Sequence, residues 1–117
     1  PYEGSYFGVS KQGDDFLIFG MSGKIYSLDS VSLKWTKVEA KTDQFLLDAS
    51  HLAENEGLVV VGRGGVVLYF DEQGKLQKKS ERQSRVDFTA VAATQQDVYL
   101  ASMAGGIEKV SISSIVK

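Results

Sequence analysis

Short apolar stretches alternate with polar turns along the whole chain, and the pattern predicts strands almost throughout. Ser5 to Ser10 is a first alternating stretch, closed by the turn signal Gln12-Gly13-Asp14-Asp15. Phe16 to Phe19 is a continuous apolar run, the pattern of a strand covered on both faces. Lys24 to Leu28 alternates about Ile25, and Lys34 to Glu39 alternates about Trp35, which predicts Trp35 on the inward face of a half-exposed outer strand. A second set follows in Phe45 to Leu52, Leu58 to Val61, Val66 to Phe70 and Leu76 to Ser80. The leucines and alanine of Phe45 to Leu52 would also suit a helix, but the stretch corresponds to the first strand of the other sets. A third set comprises Val86 to Ala93, Asp97 to Ser102 and Ile107 to Val110, with Ile112 to Val116 as a weak candidate for a fourth strand.

These sets are copies of one unit. Phe16 to Asp29 aligns with Leu58 to Asp71, so that Gly20 and Gly62, Gly23 and Gly65, and Asp29 and Asp71 are each 42 residues apart. A fainter third copy, Val98 to Ile107, puts Gly105 in the place of Gly65 after 40 more. A period near 40 built from strands and glycine turns belongs to radial or stacked β repeats, of which propeller blades are the commonest. The fold class expected is therefore all-β: a partial β-propeller over residues 1–117, in about three four-stranded antiparallel units covering about 5–40, 44–80 and 85–116. A closed propeller has roughly four to eight blades, so three units describe part of a ring or a piece completed by a second copy. The last unit lacks a clear fourth strand, which fits the C-terminal portion of a ring whose last blade borrows one from the opposite terminus.

The recurrent glycines fall where two strands meet, and the hairpin turns expected at Gly20, Gly23, Gly62, Gly65 and Gly105 call for positive φ. Gly62-Arg63-Gly64-Gly65 is not a phosphate loop, because neither Lys-Ser nor Lys-Thr nor a helix follows it. Downstream of each third strand, Ser27-Leu28-Asp29-Ser30-Val31-Ser32-Leu33-Lys34-Trp35 and Tyr69-Phe70-Asp71-Glu72-Gln73-Gly74-Lys75-Leu76-Gln77 are similar to the Asp-box hairpin of the bacterial neuraminidase repeat. Ser27, Asp29 and Trp35 match in one copy and Asp71 and Gly74 in the other; each copy carries one extra residue and lacks the Thr-Trp pair. The physical role expected of them is local: the aspartate accepts backbone N–H groups ahead of it, and the aromatic packs the outer strand onto the blade.

The larger pattern resembles the photosystem II assembly/stability factor-like propellers, through Gly8-Val9, Phe19-Gly20-x-x-Gly23, Val61-Gly62-x-Gly64-Gly65-Val66-Val67-Leu68 and Gly105-Gly106-Ile107. The resemblance implies a non-catalytic, commonly extracytoplasmic or periplasmic propeller that binds and helps assemble proteins of an envelope or membrane-associated complex. It carries over no photosynthetic role.

Composition narrows the chemistry. Thirteen basic and fifteen acidic residues of 117 give a net charge of −2 with the signs interspersed, which argues against nucleic acid as a partner. With no cysteine there is no disulfide or thiolate chemistry, and no run approaches the roughly 18 apolar residues of a membrane span. An export signal, if there is one, is expected upstream of Pro1. His51 is the single histidine, which rules out a multi-histidine metal site, and it is expected to cap the end of a strand. Asp14-Asp15 and Glu54-Asn55-Glu56 carry oxygen ligands of the kind calcium takes, but acidic between-strand turns are ordinary, so neither metal nor cofactor is expected.

A sialidase-like glycoside hydrolase is the enzyme alternative, because it shares these repeats. That chemistry needs an arginine cluster and a tyrosine nucleophile with its acid; Arg63, Arg82 and Arg85 are the only arginines, Tyr6, Tyr26, Tyr69 and Tyr99 sit within predicted strands, and Tyr2 lies in the terminal segment. The candidate binding surface is instead the pair of loops leading from one blade's outer strand to the next blade's inner strand, 40–44 and 81–85. Asp43, Gln44, Arg82 and Arg85 are its candidate partner contacts, arginine being enriched in interface hot spots. Self-association through exposed blade faces is a further expectation.

Overall fold

The structure, a computed structural model, describes residues 4–52, 57–81, 86–102 and 104–116. Among the described residues, eleven strands form three antiparallel meanders. Blade 1 runs β1 (Tyr6–Gln12), β2 (Asp15–Gly20), β3 (Ile25–Asp29) and β4 (Trp35–Val38) in spatial as in chain order. Blade 2 repeats this with β5 (Leu46–His51), β6 (Leu58–Gly62), β7 (Val66–Phe70) and β8 (Leu76–Glu81). Blade 3 has β9 (Phe88–Ala93), β10 (Asp97–Ser102) and β11 (Gly106–Ser111). The first strands β1, β5 and β9 lie innermost, β5 touching both of the others, so the sheets fan about a shared axis as propeller blades do. The segment Phe45 to Leu52 is thus strand over Leu46–His51, with its helix-forming residues overridden by the sheet.

Two apolar cores fill the gaps between blades, and the period of two along each strand decides which residue enters which. Leu17, Phe19 and Ile25 of blade 1 meet Leu58, Val60, Val66, Leu68 and Phe70 of blade 2. The intervening residues of blade 2, Val59, Val61 and Val67, point the other way and pack on Phe88, Val91, Val98, Leu100 and Val110 of blade 3. Strand β6 is consequently buried on both faces along its whole length. The matching run in blade 1 is not: Leu17 and Phe19 are buried, while Phe16 and Ile18 are partly open on the face away from blade 2.

The C-terminal segment differs from the strand expected of it. Residues Ile112–Val116 form a short helix, α1, with Ile112 and Ile115 buried in the core between blades 2 and 3. A spacing of three residues brings both isoleucines to one helical face, whereas a strand would have set them on opposite faces. Ser111 begins the helix, with Ser114 N–H donating to its Oγ (3.4 Å) and Ser114 Oγ–H to its carbonyl (2.8 Å). Lys78 of β8 then donates from Nζ to the Ser114 carbonyl at 3.0 Å, tying the helix to blade 2. The helix occupies the interblade gap instead of extending the sheet.

Three of the turn expectations, at Gly20, Gly62 and Gly105, change in their physical basis. Gly23 and Gly65 do have positive φ, 69° and 76°. Gly20 and Gly62 are extended, at −172° and −168°. Gly62 is glycine for another reason: a Cβ there would collide with the Phe45 carbonyl oxygen of the neighbouring strand segment. Gly105 lies in the β10–β11 turn, where its N–H donates to Ser102 Oγ at 2.9 Å, and the positive φ of that turn belongs to Gly106, at 82°.

Candidate protein-binding rim

Strand order sorts the loops into two rims. The segment 39–45 joining β4 to β5, the single 3-10 turns Met21–Gly23 and Arg63–Gly65, and residues 86–87 before β9 share one rim. The turns at 13–14, 30–34, 71–75 and 94–96 share the other.

On the first rim the chain is locked by close backbone approach. Arg63 N–H donates to the Phe45 carbonyl (2.9 Å), and Met21 N–H makes the corresponding bond to the Ser5 carbonyl (3.1 Å) in blade 1. Each ties a 3-10 turn to the residue that leads into the inner strand of the same blade. Gly64 N–H donates to Asp87 Oδ1 at 2.9 Å, joining blade 2 to the segment that leads into blade 3. Thr42 sits close against Gly23, where a Cβ would strike its carbonyl, and Thr42 Oγ1 accepts the Gln44 N–H at 3.2 Å. Lys79 Nζ donates to the Lys41 carbonyl at 2.8 Å, a bond from the outer strand of blade 2 to the same segment. Segment 39–45 is held by both adjoining blades.

The frame presents an aromatic pair and an arginine. Phe7 and Phe45 stand 5.8 Å apart with rings tilted by 30°, and the Arg63 guanidinium lies 4.8 Å from the centre of the Phe45 ring. Phe7 and Arg63 are exposed and Phe45 is half-buried, so the cluster faces outward with its base packed. Asp43, exposed, and Gln44, half-buried, flank it, and the Gln44 side-chain amide lies against Gly64. Arg82 and Arg85 lie outside the described residues, as do Tyr2 and the Glu54-Asn55-Glu56 turn. Nothing in linear sequence joins Phe7, Phe45 and Arg63; each is the residue at or near the start of an inner strand or in a 3-10 turn, and the repeat brings these positions to one edge.

The Asp-box-like turns stand on the opposite rim. Asp29 Oδ1 accepts the N–H groups of Val31 and Ser32, both at 2.9 Å, and these bonds hold its carboxyl below the usual carboxylate range, that from Ser32 most strongly. Asp71 Oδ1 likewise accepts Gln73 N–H (3.0 Å) and Lys75 N–H (2.9 Å), and its Oδ2 accepts the Gln77 side-chain amide at 2.8 Å. Both carboxylates are engaged in shaping their own turns. Trp35 departs from the inward placement that alternation predicts: it shares a face with Leu28 and Tyr26, away from blade 2, stacked on Tyr6 (6.1 Å, 24°) and edge-on to Tyr26 (6.0 Å, 79°). Its partners are cross-strand aromatics of its own sheet.

His51 ends β5, with its Nε2 3.4 Å from Ser10 Oγ on blade 1. Asp14 and Asp15 flank the β1–β2 turn, and among the described residues no three His, Cys, Asp or Glu side chains gather as a metal site would require. Tyr6, Tyr26, Tyr69 and Tyr99 are strand residues, and Arg63, the arginine among the described residues, is directed at a phenyl ring. Among the described residues no helix is long and apolar enough to cross a membrane.

No family model matches the chain, and no curated protein matches it. Among solved structures it is similar to the β-propeller domain of Cps50 (Swd1) from Myceliophteria thermophila, with a TM-score of 0.76 at 15% identity over 97% of this chain. The match spans 37% of that domain's chain. The chain is thus an all-β partial propeller, and at this identity the likeness speaks to fold alone.

Proposed function

We propose that this chain is a non-catalytic binding module whose loop-bearing rim engages a protein partner. The observation that carries this is the Arg63–Phe45–Phe7 cluster, an arginine over an aromatic pair on a rim braced by hydrogen bonds from both neighbouring blades. Arginine and aromatic residues are enriched in interface hot spots, and a braced backbone lowers the ordering cost of binding. Asp43 and Gln44 belong to the same surface, and Arg82 and Arg85, outside the described residues, are further candidate partner contacts by sequence. The resemblance to photosystem II assembly/stability factor-like propellers supports a finer reading, in which the partner is a component of an envelope or membrane-associated complex under assembly outside the cytoplasm.

The test is site-specific photocrosslinking in cells of the source organism, with the crosslinker at Gln44 and, as the control on the opposite rim, at Leu33. A discrete adduct from position 44, lost on Arg63→Ala combined with Phe7→Ser and absent from position 33, is the result expected. Equal labelling from both rims, or no adduct from either, overturns the assignment of the rim.

A further inference from the structure

Among the described residues, blades 1 and 3 each have one face that no blade covers, and the repeat shows which residues of a neighbouring blade would meet it. Register pairs each residue of blade 1 with its counterpart in blade 2. Phe16, Ile18, Tyr26, Leu28 and Trp35 occupy the sheet positions of Leu58, Val60, Leu68, Phe70 and Leu76, and Val9 that of Ala49. In blade 2 all six of those residues lie in or against the core that blade 1 covers. In blade 1 the same positions form an open face on which Val9 is 63% exposed and Phe16 and Trp35 are exposed as well.

Blade 3 carries the complementary side. Tyr99, Ala101 and Ile107 occupy the positions of Val59, Val61 and Val67 in blade 2 and of Leu17, Phe19 and Ile25 in blade 1, the residues with which each blade covers the next. Here they cover nothing: Ile107 is 72% exposed and Tyr99 is exposed. Beside them on this face stand Ala90 and Ala92, paired with Ala101 and Tyr99. The open face of blade 1 is therefore largely aromatic, and that of blade 3 sets Tyr99, Ile107 and Lys109 around Ala90, Ala92 and Ala101, a relief into which bulky side chains can interdigitate.

We propose that a second copy of this chain docks head to tail, the blade 3 face of one copy on the blade 1 face of the other. The second copy is the occupant because the chain itself displays both complementary faces, each in the repeat position that is buried wherever a neighbour is present. Each contact is heterologous, and a two-fold rotation that brings both faces of each copy into contact closes the pair as a ring. They bring together six blades, within the range of roughly four to eight found in closed propellers. This association involves neither Arg63 nor the rim, and it stands or falls separately from partner binding there.

Val9 and Ile107 make the test clean, because both are mostly exposed in the single chain and a charge at either is tolerated by the isolated fold. Sedimentation velocity of the wild-type chain gives the mass of two chains. Val9→Glu and Ile107→Glu each give a one-chain mass, with circular dichroism and melting like those of the wild type, because a glutamate buried in the interface has no partner. Mixing the two variants restores a two-chain species, since the Ile107→Glu copy keeps an intact blade 1 face and the Val9→Glu copy an intact blade 3 face. A wild-type chain that stays monomeric overturns the proposal. So does a mixture that fails to associate, or an Ile107→Glu chain that still dimerises, which would mean that blade 1 faces pair with each other.

Discussion

The Val91 backbone N–H in the inner strand of blade 3 donates to Asp48 Oδ2 in the inner strand of blade 2 at 2.9 Å, so a side chain joins two sheets that share no ladder hydrogen bonds. Asp48 follows a register irregularity in β5, which aims its carboxylate across the gap. The equivalent position in blade 1 is Gly8, where a Cβ would strike the Phe19 ring. One gap is closed by a hydrogen bond and the other by an aromatic ring that needs the space. Asp48→Ala leaves Val91 N–H part-buried without its acceptor and is expected to lower stability by about 1–2 kcal/mol in urea unfolding at neutral pH. Asp48→Asn, which keeps an acceptor oxygen, loses less. Accelerated hydrogen exchange at Val91 in the alanine variant is the local readout, and unchanged exchange there would refute the link.

Two glycines separate the effects of backbone conformation and space. Gly13 has φ of 62° and open space for 4 Å around the point where a Cβ would stand, so Gly13→Ala is expected to cost about 1–2 kcal/mol through the left-handed backbone alone. Gly62 is extended, yet its Cβ would meet the Phe45 carbonyl oxygen, a backbone atom that cannot swing aside. Gly62→Ala is expected to cost about 2–4 kcal/mol and to loosen the rim, because Phe45 also accepts the Arg63 N–H and carries the arginine on its ring. Thermal unfolding of the two variants side by side gives the ranking.

Blade 2 is the part of the fold most legible in the sequence, because every residue of Leu58-Val59-Val60-Val61 has a neighbour on its own side and an unbroken apolar run describes that environment. Phe16-Leu17-Ile18-Phe19 is the same pattern in a different setting. Only two of its residues are buried, since whether a neighbour covers the other face is a property of the assembly and not of the run. The C-terminal segment reads as strand because Ile112 to Val116 alternates loosely, but Ile112 and Ile115 also have helical spacing, and the gap beside β8 selects the helix. Of the rim, Asp43 and Gln44 follow from knowing where interblade segments gather. The Arg63–Phe45 contact does not, because it depends on how closely the 3-10 turn approaches the segment that leads into β5.

Helix α1 depends on its docking. Five residues are far too few for a stable isolated helix, so its order comes from Ile112 and Ile115 in the core between blades 2 and 3 and from the Lys78 bond to the Ser114 carbonyl. Ile115→Ala is expected to cost about 2–4 kcal/mol and to release the segment, seen as loss of exchange protection over 112–116. Lys78→Met removes the hydrogen bond while keeping the aliphatic stem, and it is expected to cost no more than about 1 kcal/mol. If the two variants were equally damaging, the anchor would be the lysine and not the buried isoleucine.

The β3–β4 turn holds a residue in a conformation that suits another. Leu33 has φ of 59° and is exposed, with its N–H bound to the Asp29 carbonyl at 2.9 Å, while in blade 2 a positive φ falls on Gly74, at 81°. Leu33→Gly relieves the crowding of the left-handed backbone at the cost of a more flexible unfolded chain, for an expected net gain of about 0.5–1 kcal/mol. The gain is expected in chemical denaturation at unchanged m-value, and a loss would show that the leucine side chain makes contacts that outweigh its backbone strain.

The same turn makes a prediction about pH. Hydrogen bonds from Ser32 and Val31 N–H to the Asp29 carboxylate favour its charged form, so its folded pKa lies below 3.8. A depressed acid pKa contributes stability that is present above the unfolded value and disappears as pH falls through the folded one, so the contribution from Asp29 is lost only in acid solution below the ordinary aspartate range. Carbon-detected NMR titration of Asp29 is expected to give a midpoint below 3.8, with the Val31 and Ser32 amide protons moving upfield through the same midpoint as their acceptor is protonated. Asp29→Asn retains an oxygen for both donors and removes the pH dependence, whereas Asp29→Ala opens the turn at every pH. A midpoint at or above 3.8 would mean that these two bonds do not favour the charged carboxylate in solution.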